Sequence, residues 1–254
     1  MTDPLAIGTA TVFGLLLGSF LNVVIYRLPR GESVVVGRSR CPRCRAVIRW
    51  FDNIPLVSYL TLAGRCRRCT AAIPVRYPAV ELVSAIIAAL VFYHYGLSLQ
   101  SVWIYGFLST LLVVTVVDWS HRIIPDVLSL GGVVFGWAGA VVCLDLNLVE
   151  SMIGSLAGGG LILAIALTYK ALRKADGMGG GDVKLMAMIG AFVGWKMIFP
   201  VLFLASFVGS VYGIYLMRKG GDGKTAVAFG SFLAPAATVV FVFGARLWAL
   251  YLGR

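Results

Sequence analysis

The chain has 254 residues, of which 59% are hydrophobic and only 13% are charged, and its formal net charge is +11 at pH 7. Charged residues make up about a quarter of an ordinary soluble domain, so this composition excludes a soluble globular protein. The basic residues lie between apolar segments and do not form one helical face, so the excess charge indicates membrane orientation and not nucleic-acid binding.

Long apolar runs recur along the whole chain, separated by short polar or basic turns. An α-helix needs roughly 20 mostly apolar residues to cross a bilayer, and continuous apolar runs exclude the alternating pattern of a β-barrel. We therefore predict an all-α integral membrane protein, a polytopic bundle of about eight transmembrane helices. The predicted helices lie near residues 5–26, 79–95, 101–117, 127–144, 151–172, 183–195, 200–217 and 231–252.

The distribution of lysine and arginine predicts the orientation of these helices. Both residue types concentrate in the connections after the first, third, fifth and seventh helix, whereas the alternate connections carry only Lys196. By the positive-inside rule the first set of connections is cytoplasmic. The connection at 28–78 is much longer than the others, so we predict a first transmembrane helix at 1–27, a cytoplasmic domain at 28–78 and a transmembrane bundle at 79–254.

That cytoplasmic connection contains two C-x-x-C pairs, formed by Cys41, Cys44, Cys66 and Cys69. This spacing is typical of a zinc-ribbon-like domain in which four thiolates bind a structural Zn²⁺. About fifty residues with few aliphatic positions cannot form much of a core, so metal binding would stabilise the domain. Two disulfides, or free thiols, are the alternative, which a reducing cytoplasm disfavours.

Two aspartates stand at the ends of apolar runs. Asp118 closes the third predicted helix, and Asp182 opens the sixth. Ionisable groups in membrane helices are costly, and the predicted orientation places both at the cytoplasmic ends of their helices. A carboxylate pair in a partly dry site, with one member ionised and one protonated, can activate water for peptide hydrolysis. The alternative for Asp182 is a helix N-cap.

A glycine run precedes Asp182. Gly179, Gly180 and Gly181 have no Cβ and would allow a substrate backbone to approach, so we predict that they bind substrate together with Lys184. Lys184 could instead extend to the lipid headgroups, and the glycines could simply form a flexible loop. Two further acidic residues lie nearby: Asp176 in the glycine-rich loop and Asp126 at the start of the fourth predicted helix. We expect both to be capping or solvated residues.

Several stretches of the chain together resemble the type IV prepilin leader peptidases, polytopic aspartic proteases with a G-x-G-D motif. They are residues 18–29, the two C-x-x-C pairs, residues 76–82, Asp118 with residues 124–126, and residues 179–185. The resemblance implies that Asp118 and Asp182 are catalytic. It also implies cleavage of the basic leader from prepilins or pseudopilins of type IV pili or type II secretion, at the cytoplasmic face of the bacterial inner membrane.

The resemblance further implies that the enzyme methylates the new N-terminus with S-adenosylmethionine, an activity associated with the cysteine-containing domain. Residues 28–78 contain no Rossmann glycine fingerprint. Glu81 is a candidate for this machinery, with an interfacial acid near Arg76 as the alternative. The basic leader would need acidic partners, for which Glu32 and Asp52 are candidates beside anionic lipid and the catalytic carboxylates.

Two other function classes remain as alternatives. A proton- or cation-coupled transporter with a regulatory zinc domain would also use paired carboxylates in the membrane, but transporters usually have corresponding broken helices in both halves. This sequence has one glycine-rich interruption. A zinc-ribbon scaffold that recruits partners would leave the glycine-aspartate motif without a purpose.

Overall fold

The computed structural model describes residues 4–174, 179–219 and 228–251, and the side chains of the last range as far as residue 244. Asp176 lies outside these residues. The described chain contains helices and no strand, with two isolated β-bridges in the cysteine-containing connection. The helices are α1 (Pro4–Arg27), α2 (Val57–Thr61), α3 (Arg76–Tyr95), α4 (Leu99–His121), α5 (Asp126–Val142), α6 (Leu148–Arg173), α7 (Gly180–Val193), α8 (Ile198–Arg218) and α9 (Gly230–Tyr251).

The predicted fold class is confirmed, because each of the eight predicted segments is an α-helix, and the described residues add the short α2 and three short 3-10 helices. Within the described ranges, five candidate membrane spans meet the requirements of length and apolar composition, and they contain α1, α3, α4, α6 and α8. α5 has 17 residues and α7 has 14, which makes α7 the shortest of the predicted segments. The chain is therefore a multi-pass membrane protein, and membrane crossing by the shorter helices stays a prediction.

The chain divides into two compact units, Met1–Ser109 and Thr110–Arg254. In the first unit α1 packs directly on α3 through its glycines. A Cβ on Gly14 would lie 2.7 Å from the Cβ of Ala88, and one on Gly18 would lie 2.7 Å from the Cα of Glu81. The hydroxyl of Ser84 donates to the carbonyl of Gly14 at 2.8 Å. Small residues and interhelical hydrogen bonds are what hold helices together in lipid.

In the second unit α7 contacts α5, α6 and α9. A Cβ on Gly154 of α6 would clash with the carbonyl of Gly190 of α7, and the reverse substitution would clash as well. The hydroxyl of Ser151 donates to the carbonyl of Ala191 at 2.6 Å. These backbone contacts fix the depth and rotation of α7, so its first turn, which carries Asp182, is held in place by the rest of the helix.

Candidate catalytic and metal sites

Asp118 lies in the last turn of α4 and is 4% exposed. The helix ends three residues later, where Arg122 adopts a left-handed conformation (φ 55°) and its backbone N–H donates to the carbonyl of Asp118 at 2.8 Å. This is the geometry of a helix C-terminus closed by a left-handed residue. The carboxylate is therefore at the end of a membrane helix, as predicted.

Asp182 is the third residue of α7 and is 8% exposed. The residue in the N-cap position is Gly179, and its carbonyl accepts a hydrogen bond from the backbone N–H of Asp182 at 3.1 Å. The alternative that Asp182 is itself the N-cap is therefore wrong. Its place in the first turn still puts the carboxylate at the positive end of the helix dipole.

The first turn of α9 brings the two aspartates together. The backbone N–H of Ser231 donates to Oδ2 of Asp118 at 2.7 Å, and its hydroxyl lies 3.0 Å from the same oxygen. The backbone of the preceding residue, Gly230, hydrogen-bonds Asp182, and the charges of Asp118 and Asp182 act on each other. Three helices thus converge on one buried pair of carboxyl groups.

Two of the nearby glycines are needed because the site is tightly packed around Ile124. A Cβ on Gly230 would lie 2.7 Å from Cδ1 of Ile124 and 2.9 Å from Oδ2 of Asp118. A Cβ on Gly181 would lie 3.1 Å from the Cβ of Ile124. The absence of a side chain at both positions lets the helix ends approach closely.

The other two glycines of the predicted substrate-binding run have free space beside them. Among the described residues, a Cβ on Gly180 would meet nothing within 4 Å, and one on Gly179 would meet only Oδ2 of Asp182 at 3.8 Å and the backbone of Gly181. The run therefore divides into a packing position, Gly181, and two positions that leave the side of Asp182 open.

Lys184 forms an ion pair with Asp126, with 2.7 Å between Nζ and Oδ1. Asp126 is the first residue of α5, and the preceding Pro125 occupies the cap position. Asp126 is therefore not the cap but is exposed, which agrees with the solvated position predicted as the other possibility. Its carboxylate connects the start of α5 to the second turn of α7. A substrate-binding role for Lys184 remains a prediction.

Ser231 and Gly230 are the two site residues that sequence reasoning missed. A serine at the start of a predicted helix indicates a cap, and its partner Asp118 is 113 positions away. An aromatic cluster supports the contact between Ser231 and Asp118. It consists of Trp119 and Phe232, which directly follow these two residues, and of Tyr212 on α8. The ring of Tyr212 lies 5.4 Å from Trp119 and 5.5 Å from Phe232, so the cluster joins α4, α8 and α9 beside the carboxylates.

An apolar groove of about 270 Å³ lies between α8 and α9 and includes Ser231 at the level of the site. The rest of its lining consists of Leu204, Val208, Phe232, Pro235, Ala236 and Val239. An apolar segment of a substrate would therefore find a matching surface that begins next to the carboxylate pair.

The four predicted zinc ligands form a second site, in the unit Met1–Ser109. The sulfur atoms of Cys41, Cys44, Cys66 and Cys69 all lie within 4.8 Å of one another, and Cys41 and Cys69 are 3.9 Å apart. Zn–S bonds of about 2.3 Å in a tetrahedron place sulfurs roughly 3.8 Å apart, so these residues fit the ion. A disulfide needs about 2.05 Å, and all four cysteines are free thiols, so the disulfide alternative is not supported.

The two C-x-x-C turns have the same backbone conformation. The N–H of Cys41 donates to the carbonyl of Ala46 at 3.0 Å, and the N–H of Cys66 donates to the carbonyl of Ala71 at 2.9 Å. Each turn is closed by one of the isolated bridges, Arg40 with Val47 and Arg65 with Ala72. The two turns are also similar in sequence, because residues 40–48 and 65–73 have Arg, Cys, Arg, Cys, Ala and Ile at equivalent positions.

The sulfur cluster itself favours a cation. Hydrogen bonds from the backbone of Cys69 and Arg68 lower the pKa of Cys66 to about 6. The backbone of Ala71 acts in the same direction on Cys69, but desolvation and the neighbouring sulfurs of Cys44, Cys66 and Cys41 together raise its pKa to about 11. Four adjacent thiols cannot all ionise unless a metal ion balances their charge.

Two of the remaining acidic candidates, Asp52 and Glu81, have local partners. Asp52 forms a two-oxygen hydrogen-bonded pair with Arg67, and this guanidinium keeps the pKa of Asp52 below its usual value. Glu81 lies in the second turn of α3, and one of its oxygens accepts from the backbone N–H of Leu56 at 2.9 Å. Glu32 is exposed.

Two family models match the chain. The Bacterial Peptidase A24 N-terminal domain matches residues 12–95, and the Type IV leader peptidase family matches residues 105–214. The first match contains both C-x-x-C pairs and Glu81, and the second contains Asp118 and Asp182.

Curated relatives cover almost the whole chain. Those from Pseudomonas aeruginosa and Dichelobacter nodosus are each 34% identical over 99% of this chain, and the matches cover 95% and 96% of the relatives. One from Aeromonas salmonicida is 36% identical over 95% of this chain and 92% of its own. All three are named prepilin leader peptidase/N-methyltransferase. No solved structure matches significantly.

Proposed function

Because the chain belongs to the type IV leader peptidase family, we propose that it removes the leader from prepilins or pseudopilins with Asp118 and Asp182 as its catalytic pair. Membership in the family makes the chain a membrane-embedded peptidase. The observation that carries the catalytic assignment is the convergence of two buried carboxyl groups, from α4 and α7, on the first turn of α9.

The hydrogen bonds suggest how the two carboxyl groups divide the work. Ser231 donates twice to one oxygen of Asp118, which suits an ionised carboxylate that accepts a proton from water. Asp182 then carries the shared proton and polarises the scissile carbonyl. The water oxygen bonds to the carbonyl carbon, the C–N bond breaks, and the proton of Asp182 passes to the leaving amine. No covalent enzyme intermediate forms.

The surroundings of the pair favour an extended substrate segment followed by an apolar one. The open side at Gly179 and Gly180 leaves room for the backbone around the scissile bond. The groove between α8 and α9 offers an apolar surface for the helix that follows the leader. The leader junction would then lie at the membrane interface, at the depth of the helix ends that carry the aspartates.

The positive-inside rule supports a cytoplasmic site in the bacterial inner membrane. Basic residues lie next to both aspartates along the chain: Arg122 directly follows the helix that carries Asp118, and Lys170 and Arg173 are in the last turn of α6, the helix that precedes Asp182. The basic leader would remain on the same side, and the new N-terminus would be released there.

The names of the relatives support a second activity, methylation of the new N-terminal amine. S-adenosylmethionine supplies an electrophilic methyl group on a sulfonium, so the chain's own task is to hold a neutral amine in line with it and to accept the displaced proton. We assign this activity to the unit Met1–Ser109. A Zn²⁺ bound by Cys41, Cys44, Cys66 and Cys69 would be structural, because four thiolates leave no position for water.

The test is to incubate the purified protein, in detergent or lipid, with a cognate full-length prepilin, with and without S-adenosylmethionine, and to read the product's N-terminus by mass spectrometry. We expect loss of the leader, and an added methyl group only when the cofactor is present. Asp118→Asn and Asp182→Asn keep the side-chain shape and should each abolish cleavage. Asp145→Asn, in the connection between α5 and α6, is the matched control and should cleave normally.

Retained cleavage in either site variant would remove that residue from the mechanism. An uncut cognate prepilin with the wild-type protein would favour the transporter alternative. Cleavage without methylation would limit the function to the peptidase.

A further inference from the structure

The unit Met1–Ser109 contains a cavity of about 1080 Å³ that the peptidase reaction does not use. Its lining comes from α1, from the connection that carries the two C-x-x-C turns, and from the first two turns of α3. Ligand sites for small molecules are typically about 300–1000 Å³, so the cavity has room for a nucleoside-sized ligand. Its polar lining shows which chemistry such a ligand needs.

One wall of the cavity contains a buried acceptor without a partner. Asn22, on α1, is 4% exposed, and its Nδ2 donates to the carbonyl of Tyr77 at 3.0 Å. That carbonyl fixes the orientation of the amide, because the opposite orientation would place two oxygens together. Oδ1 of Asn22 is therefore buried and has no hydrogen-bond partner. Buried acceptors of this kind are rare and point to a donor that joins them.

Glu81, which also lines the cavity, is a buried acid whose partners are neutral. It is 9% exposed, and its hydrogen bonds come from the backbone of Leu56 and the side chain of Ser19. Leu56 has the left-handed φ of 57°, so the bond to Glu81 holds a strained turn of the connection against α3. A buried carboxylate without a cationic partner is unfavourable unless a cation binds beside it.

Oδ1 of Asn22 needs a hydrogen-bond donor, and the carboxylate of Glu81 favours a cation beside it. The rest of the lining is rich in arginine, so a matching ligand carries both cationic and anionic groups. S-adenosylmethionine carries a sulfonium and an ammonium in its methionine portion, and both are cations. Its carboxylate has partners available, because Arg43 and Arg45 are among the arginines that line the same cavity. We propose that this cavity binds S-adenosylmethionine, with Glu81 and Oδ1 of Asn22 receiving the cationic methionine portion. The proposal rests on the methyltransferase part of the proposed function.

The test measures binding of S-adenosylmethionine and of S-adenosylhomocysteine to the full-length protein in detergent by isothermal titration calorimetry. Glu81→Gln removes the charge but keeps an oxygen that can accept from Leu56. We expect the variant to bind S-adenosylmethionine about tenfold more weakly, because a charge-assisted contact is lost. The loss for S-adenosylhomocysteine should be smaller, since that molecule has no sulfonium charge.

A second variant, Asn22→Leu, removes the unpartnered oxygen at similar volume and should also weaken binding. Prepilin cleavage by both variants is the check that they fold. Glu150→Gln removes a half-buried acid that is paired with Lys196 outside the cavity and is the matched control, which should bind like the wild type.

The outcomes separate this proposal from the one on which it rests. If the wild-type protein binds no S-adenosylmethionine, the methyltransferase assignment fails as well. If the wild type binds and Glu81→Gln binds equally well, only the present inference is wrong. Equal binding combined with lost methylation would place Glu81 at the acceptor amine and would likewise overturn the proposed contact.

Discussion

Ser231 donates two hydrogen bonds to a single oxygen of Asp118, 2.7 Å from its backbone nitrogen and 3.0 Å from its hydroxyl. Ser231 and Asp118 are 5% and 4% exposed, so water does not compete for these contacts. The first turn of α9 thereby fixes the orientation of a carboxylate on α4.

Ser231→Ala removes the hydroxyl but keeps the backbone donor. We expect kcat/KM for prepilin cleavage to fall about tenfold with little change in KM, because one of two hydrogen bonds to a charged oxygen is lost. Steady-state kinetics with a full-length prepilin measure the effect. Ser210→Ala, at an exposed position of α8, is the control. Wild-type kinetics in Ser231→Ala would show that the backbone donor alone positions Asp118.

Gly230→Ala tests the tight packing beside the carboxylates. The new Cβ would lie 2.9 Å from Oδ2 of Asp118 and 2.7 Å from Ile124, so the site must shift. We expect a larger loss of kcat/KM than in Ser231→Ala, together with a destabilisation of about 1–3 kcal/mol from overpacking. Gly213→Ala on α8, where a Cβ meets no described atom within 4 Å, is the matched control and should retain activity and thermal stability.

Lys184→Met and Asp126→Asn break the same ion pair from opposite sides. The pair is partly exposed, so its loss should cost at most about 1 kcal/mol, and both variants should melt near the wild-type temperature. If Lys184 binds substrate, as predicted, KM for prepilin rises in Lys184→Met and stays unchanged in Asp126→Asn. Equal KM values in the two variants would limit Lys184 to the ion pair.

Cys44→Ser and Cys69→Ser test the metal site. Each leaves three thiolates, so we expect less bound zinc by elemental analysis and a lower melting temperature, because metal binding stabilises a domain with a small core. A strong chelator should lower the melting temperature of the wild type in the same way. Cys143→Ser, which replaces the cysteine outside the cluster, should keep its zinc. Unchanged zinc content in the cluster variants would contradict a four-thiolate site.

The local features of this protein were predictable because they depend on neighbours along the chain. Apolar runs of about 20 residues predicted the helices, since such a run in lipid must satisfy its own backbone groups. The C-x-x-C spacing predicted a sulfur cluster, and the structure brings all four sulfurs within 4.8 Å. Asp118 and Asp182 stood out because acids at the ends of membrane helices are costly.

Only the tertiary structure decided which distant groups meet. Ser231 joins Asp118 across 113 positions, and Gly230 joins Asp182 from a different helix, and no periodicity or motif in the sequence encodes either contact. The same holds for Asn22. The carbonyl of Tyr77, on another helix, fixes the orientation of its amide and leaves its oxygen without a partner. Sequence patterns record the preference of each residue for lipid, water or a turn. The contacts named above depend instead on how the helices pack against one another. Because these helices are nearly equal in hydrophobicity, steric fit between small residues determines their packing.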